Sequence, residues 1–252
     1  MNINDVLKEM EYTKGRPAKK LFEWFTLKNE ELKAWSYKHK KIKYKELSKG
    51  LPGKFLHELM PFAYYAKNYY DDVPDAIFKP CCGSEQYDGI IIDNDNAVFV
   101  EFTNAIFGDE WSVIKEVLAE TGVAPWEYDI LGVNKKNRAK KKKAAMNIFT
   151  DDETEEYRWQ GANNVIDCVN ELKELVKRTA DAKFKKSLDI LQPYGQNKTI
   201  LIVTFDDTFI RQSVSCDRWE DFVNFKRTEV DSMKHNFRNV VLFGWLDKKF
   251  ID

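Results

Sequence analysis

Apolar positions in the first part of the chain recur at helical spacing. Val6, Leu7 and Met10 open an amphipathic pattern that stops at Gly15-Arg16-Pro17. A longer pattern, from Ala18 to His39, carries Leu21, Phe22, Trp24, Phe25, Leu27, Leu32 and Trp35. Gly50-Leu51-Pro52-Gly53 punctuates the chain, and the spacing then predicts a helix from Lys54 to Tyr70, closed by the turn Asp71-Asp72-Val73-Pro74. From Ala76 the pattern becomes mixed. Glu110 to Thr121 reads as a short helix, Tyr128 to Val133 as a strand, and Asn163 to Ile190 as a long amphipathic helix through Val165, Ile166, Val169, Leu172, Leu175 and Val176. Thr199 to Phe205 is an unbroken apolar run, as expected of a strand covered on both faces. Arg218 to Asn236 reads as a helix and Val240 to Trp245 as a last buried strand. These elements predict an α/β fold, a mixed central sheet flanked by helices, with an N-terminal helical region over 1–75 and an α/β core over 76–252.

The most specific local signal lies at residues 87–104. Two apolar strands, Gly89 to Ile92 and Ala97 to Phe102, flank Asp93-Asn94-Asp95-Asn96. Asn and Asp tolerate positive φ, so a two-residue loop at Asn94-Asp95 is expected. Asp93 then pairs with Asn96, and the ladder runs outward until Asp88 faces Glu101. Opposed residues share a face with Cβ atoms roughly 4.5–5.5 Å apart, and Thr103 lies on that face two residues beyond Glu101. Two carboxylates that close repel unless a cation sits between them, and a divalent metal is the usual answer.

Asp88, a hairpin, then Glu101-Phe102-Thr103 resembles the active-site pattern of the PD-(D/E)XK (restriction-endonuclease-like) nuclease superfamily, an Asp followed by Glu-x-Lys at the end of the second strand. The predicted order of helix, hairpin strands, helix and strand is compatible with that superfamily's αβββαβ core. The resemblance implies a metal-dependent endonuclease that hydrolyses DNA phosphodiester bonds, with a restriction-type enzyme as one form of it. Mg²⁺ (or Mn²⁺) would be held by Asp88 and Glu101, with Glu58 on the preceding helix as a third ligand and Glu85 as an outlying candidate. DNA is the expected partner, and a homodimer is compatible with the resemblance. Thr103 stands where the pattern has Lys; Thr103 donates a hydrogen bond but carries no charge. An active enzyme would need a Lys from another element, and Lys115, on the helix after the hairpin, is the nearest in sequence.

Charge adds a second pointer. The net charge is only −1, but residues 131–150 hold Lys135, Lys136, Arg138, Lys140, Lys141, Lys142 and Lys143 with no acid among them. Such a run fits contact with a phosphate backbone, and it fits a solvated loop as well. Cys81-Cys82, Cys168 and Cys216 form no C-x-x-C pair, and His39, His57 and His235 lack ligand spacing. The expectation is a reduced, cytoplasmic protein without a membrane span. Phe205-Asp206-Asp207-Thr208 reads as a strand-terminal turn, and Phe62, Tyr64, Tyr65, Tyr69 and Tyr70 read as core. No phosphate-cradling glycine loop occurs.

Two further readings stand beside the nuclease. One is a catalytically inactive, nuclease-derived nucleic-acid-binding or interaction module; the other is an α/β protein unrelated to nucleic acid. The first is separated from an enzyme by whether a basic side chain reaches the face shared by Asp88 and Glu101.

Overall fold

A computed structural model describes residues 7–38, 50–83, 85, 87–94, 96–106, 113, 139–140, 165–191, 198–207, 210, 217–233 and 235–252. The elements are α1 (Glu9–Tyr12), β1 (Arg16–Pro17), α2 (Ala18–Lys38), α3 (Gly50–Lys54), a π-helical turn (Phe55–Leu59), α4 (Met60–Tyr70), β2 (Ile77–Pro80), β3 (Gly89–Asp93) and β4 (Asn96–Ala105). After these come α5 (Val165–Leu191), β5 (Thr199–Phe205), α6 (Asp217–Phe225), a second π-helical turn (Lys226–Val230), β6 (Asn239–Gly244) and β7 (Phe250–Ile251). The expected helix over Glu110 to Thr121 and strand over Tyr128 to Val133 lie outside the described residues, apart from Val113.

The protein is α/β, and the seven strands among the described residues form one mixed sheet in sequence order. Strands β1 to β4 are antiparallel neighbours, β4–β5 and β5–β6 are parallel, and β7 returns antiparallel. The alternation of strand side chains divides the core in two. Val98, Val100, Phe102, Ile200, Ile202, Val241 and Phe243 face a layer made by α1 to α4, with Leu21, Phe25, Phe55, Leu59 and Phe62. Ala105, Leu201, Val203, Phe205, Val240 and Leu242 face Val176 and Ala180 of α5 and Phe222 of α6. Covered on both sides, β5 is buried at every residue, and that is why its sequence reads as a continuous apolar run. The N-terminal helices are thus a layer on the sheet, sharing its core.

Three elements depart from the sequence pattern. Gly15-Arg16-Pro17 does end a helix, but Arg16 and Pro17 also form the edge strand β1, where a Pro without an N–H is tolerated. The helix expected up to Asn236 leaves α-geometry at Lys226, whose ammonium is drawn inward to pair with Asp231 at 2.9 Å. Its last residues go elsewhere, because His235 and Phe237 pack on Phe184 at centroid distances of 4.7 and 5.9 Å. At the end of β5, Asp207 is buried and accepts the backbone N–H groups of Leu246 and Asp247 at 2.6 and 2.9 Å. That carboxylate ties the turn after β6 to β5. Among the described residues no helix is long and apolar enough to cross a membrane.

Candidate metal centre

Asp93 pairs with Asn96 and Gly89 with Val100, so the hairpin adopts the expected register, and Asn94 has φ 46°. The ladder continues one residue further. Asp88 N–H donates to Val100 O at 3.0 Å, while Asp88 O accepts the Cys81 N–H at 2.9 Å from the end of β2. Asp88 Oδ2 also accepts the Phe102 N–H at 2.8 Å. These contacts fix the Asp88 carboxylate against β4 beside Glu101. The backbone at Gly89 comes close to the Phe62 ring on the start of β3, where an added Cβ would stand 3.0 Å from the ring and the ring would have to shift.

Glu101 is 5% exposed, and Lys183 Nζ donates to its Oε2 at 2.8 Å. Burial raises the Glu101 carboxyl above its ordinary range, the Lys183 ammonium works against that, and Asp88 adds a smaller upward push. Lys183 comes from α5, on the opposite side of the sheet from α4. Its position follows from helix geometry: Val169, Leu172, Val176 and Ala180 form the buried stripe of α5, and Lys183 continues that stripe by three residues. A lysine from a helix thus reaches the Glu101 carboxylate. Thr103 lies on the Glu101 face of β4, paired in register with Val203 of β5.

Glu58 belongs to the π-helical turn. The regular helix expected from Lys54 is widened there: Met60 N–H donates to Phe55 O, five residues back. Pro61 explains the change, because it has no N–H to offer the carbonyl four residues earlier and its ring crowds that carbonyl. The Lys54 ammonium stands 3.7 Å from Glu58 Oε2, an ion pair too long for a hydrogen bond, and that oxygen is buried without a hydrogen-bond partner. Burial first, then the charge of Asp88, push the Glu58 carboxyl up to about 7, with Glu101 a smaller contributor in the same direction. The Asp88 charge thus pushes both the Glu58 and the Glu101 carboxyls up.

The donor set is all oxygen, as a hard divalent cation prefers. Among the described residues no group of three His, Cys, Asp or Glu side chains stands ready to enclose a metal. Mg²⁺ does not require such a cage: it is usually held by one or two carboxylates and keeps several waters. Asp88, held against β4 at the position opposite Glu101, fits that mode.

The other sequence candidates fall elsewhere. Glu85 Oε2 accepts the Gly83 N–H at 2.8 Å and closes its own exposed loop. Lys115, Lys135, Lys136, Arg138 and Lys141 to Lys143 lie outside the described residues, and Lys140 is exposed. Sequence reasoning passed over Lys183, although its position on an otherwise apolar helical stripe was a readable signal: a Lys there must find a carboxylate or leave the core. Comparison of the chain with family models, with curated proteins and with solved structures gives no match.

Proposed function

We propose that the protein is a metal-dependent deoxyribonuclease of the PD-(D/E)XK type, hydrolysing phosphodiester bonds in DNA. The observation that carries this reading is the Lys183–Glu101 contact beside Asp88, which restores the Asp, Glu and Lys set that the Thr at 103 interrupts in sequence. The element order adds support. A helix (α3 to α4), the antiparallel strands β2–β3–β4, the long helix α5 and the parallel strand β5 follow the αβββαβ order of that superfamily.

Asp88 and Glu101 would hold Mg²⁺ or Mn²⁺, with waters completing the shell. Such an ion supplies a polarised phosphoryl oxygen and a bound water of lowered pKa. The chain's own residues do the rest. Asp88 is held in place by the Phe102 amide, so little reorganisation is needed when substrate arrives. The Lys183 ammonium orients the attacking water and offsets the charge that develops on the phosphoryl oxygens, a task Thr103 performs only as a neutral donor. The Lys135–Lys143 run would contact the DNA backbone.

Incubation of supercoiled plasmid with Mg²⁺ or Mn²⁺, beside Asp88→Ala, tests this. Nicking or linearisation by the wild type and none by the variant is expected. DNA binding without cleavage under either metal would replace the nuclease by the binding-module reading. Replacement of Lys140 to Lys143 by Ala should weaken DNA binding for all sequences alike. The slope of log K against log salt should fall by about 0.9 for each phosphate that is no longer neutralised; an unchanged slope would remove the run from the interface.

A further inference from the structure

The strands β2, β3 and β4 close one of their two faces and leave the other open. Phe78, Ile91, Val98 and Val100 point to the α1–α4 layer and are buried. The register puts Ile77, Lys79, Ile90, Ile92 and Phe99 on the opposite face, with Lys79 across from Ile90 and Ile90 across from Phe99. Every one of these keeps solvent exposure: Ile92 is 40% exposed, Lys79 is exposed, and Ile77, Ile90 and Phe99 are half-buried. On the same side α5 closes β5 and β6 through Leu201, Val203, Val240 and Leu242, so the opening belongs to the hairpin half of the sheet. An apolar sheet face that stays open marks a binding surface.

What it fits follows from its neighbours. Phe99 lies two residues before Glu101, so the face runs directly into the carboxylate that Lys183 contacts at 2.8 Å. Tyr87, half-buried and immediately before Asp88, sets its ring against Phe99 with centroids 4.9 Å apart and planes at 46°. An aromatic pair therefore borders the two carboxylates. Among the described residues, Lys79 is the only charged side chain on the face before it reaches Asp88 and Glu101. A double helix gives such a face nothing to stack on, because its bases already stack on one another. A strand with unpaired bases presents flat rings to the aromatic pair and phosphates to the lysine, as on other sheets that take single strands.

We propose that this face is the substrate-binding surface of the metal centre, where an unpaired stretch of DNA lies with one base stacked on the Tyr87–Phe99 pair and its phosphate at Asp88 and Glu101. The inference rests on the nuclease reading and narrows its substrate to single-stranded or locally unpaired DNA.

Fluorescence anisotropy on the full chain in EDTA, with labelled single-stranded and duplex oligonucleotides of one sequence, measures binding without cleavage. The single strand should bind more tightly. Tyr87→Ala should weaken that binding on the order of 10–100-fold and leave duplex binding alone, while Tyr87→Phe, which keeps the ring, should bind as wild type does. Lys79→Ala, an exposed and structurally mild change, should reduce the single-strand slope of log K against log salt by about 0.7. 2-Aminopurine in the strand should be quenched by wild type and Tyr87→Phe, and not by Tyr87→Ala. Equal affinity for the two DNAs, a preference for duplex, or losses in Tyr87→Ala shared by both would overturn the surface; nicking of plasmid would then leave the nuclease reading standing. Self-association of the wild type that Ile92→Glu abolishes would give the face to a second copy of the chain and overturn it equally. Failure to cleave either oligonucleotide or plasmid in Mn²⁺ would overturn the nuclease reading itself.

Discussion

Lys183→Met should lower DNA cleavage by on the order of 10²–10³-fold, the usual loss when one electrostatic partner of a transition state is removed. Met keeps the length and apolar stem of Lys, which matters on a stripe that packs against β4 and β5. The substitution also leaves the Glu101 carboxylate buried without its ammonium, so Glu101 becomes harder to ionise and metal is held less tightly. The two consequences separate on titration with Mn²⁺. If weaker metal binding were the whole effect, saturating cation would restore the rate; loss of transition-state stabilisation would persist. The second substitution Thr103→Lys is the sharper measurement. Thr103 is on the Glu101 face, so a Lys there can return a cation to the same carboxylate from the strand. Lys183→Met/Thr103→Lys should recover a substantial part of the cleavage, whereas Thr103→Ala alone should cost little, one neutral hydrogen bond being worth about 0.5–1.5 kcal/mol. Wild-type rates in Lys183→Met would remove Lys183 from the mechanism.

Glu58→Gln should stabilise the protein in EDTA at pH 8 by as much as about 3 kcal/mol, and should not stabilise it at pH 4. The sign follows from the direction of the shift. An ordinary Glu ionises near 4.5, and the folded protein raises this carboxyl to about 7. Folding therefore favours the protonated form: that contribution is fully present below pH 4.5 and is lost as pH rises through 7. Above that range the native state carries an anion that burial and Asp88 disfavour. Gln keeps the shape and removes the anion, so the gain appears only at the alkaline end. For a chain of this size 3 kcal/mol corresponds to roughly 6–12 °C in melting temperature. Equal melting temperatures in EDTA from pH 4 to pH 8 would place Glu58 in a solvated setting away from the other carboxylates.

The sequence determined the parts of this protein that depend on neighbours along the chain. The Asn/Asp loop between alternating strands sets the hairpin register, because a slip of one residue would turn Val98, Val100 and Phe102 out of the core. Placing Asp88 beside Glu101 required nothing more. The β5 run and the helical stripes of α2 and α5 were likewise legible, since burial on two faces or on one stripe imposes its own period on the residues. The short strands β1 and β7 were not, because two residues carry no period. What completes the site was decided by tertiary structure. Lys183 and Glu101 are separated by 82 positions, and they meet because α5 crosses the sheet where β4 presents its buried carboxylate. Glu58 was readable as an acid on a helix, but its buried setting depends on the π-helical turn ahead of Pro61 and on the charges of two strands. Periodicity records which face of an element is dry. It does not record which charge waits on the facing element, because that depends on how the layers cross.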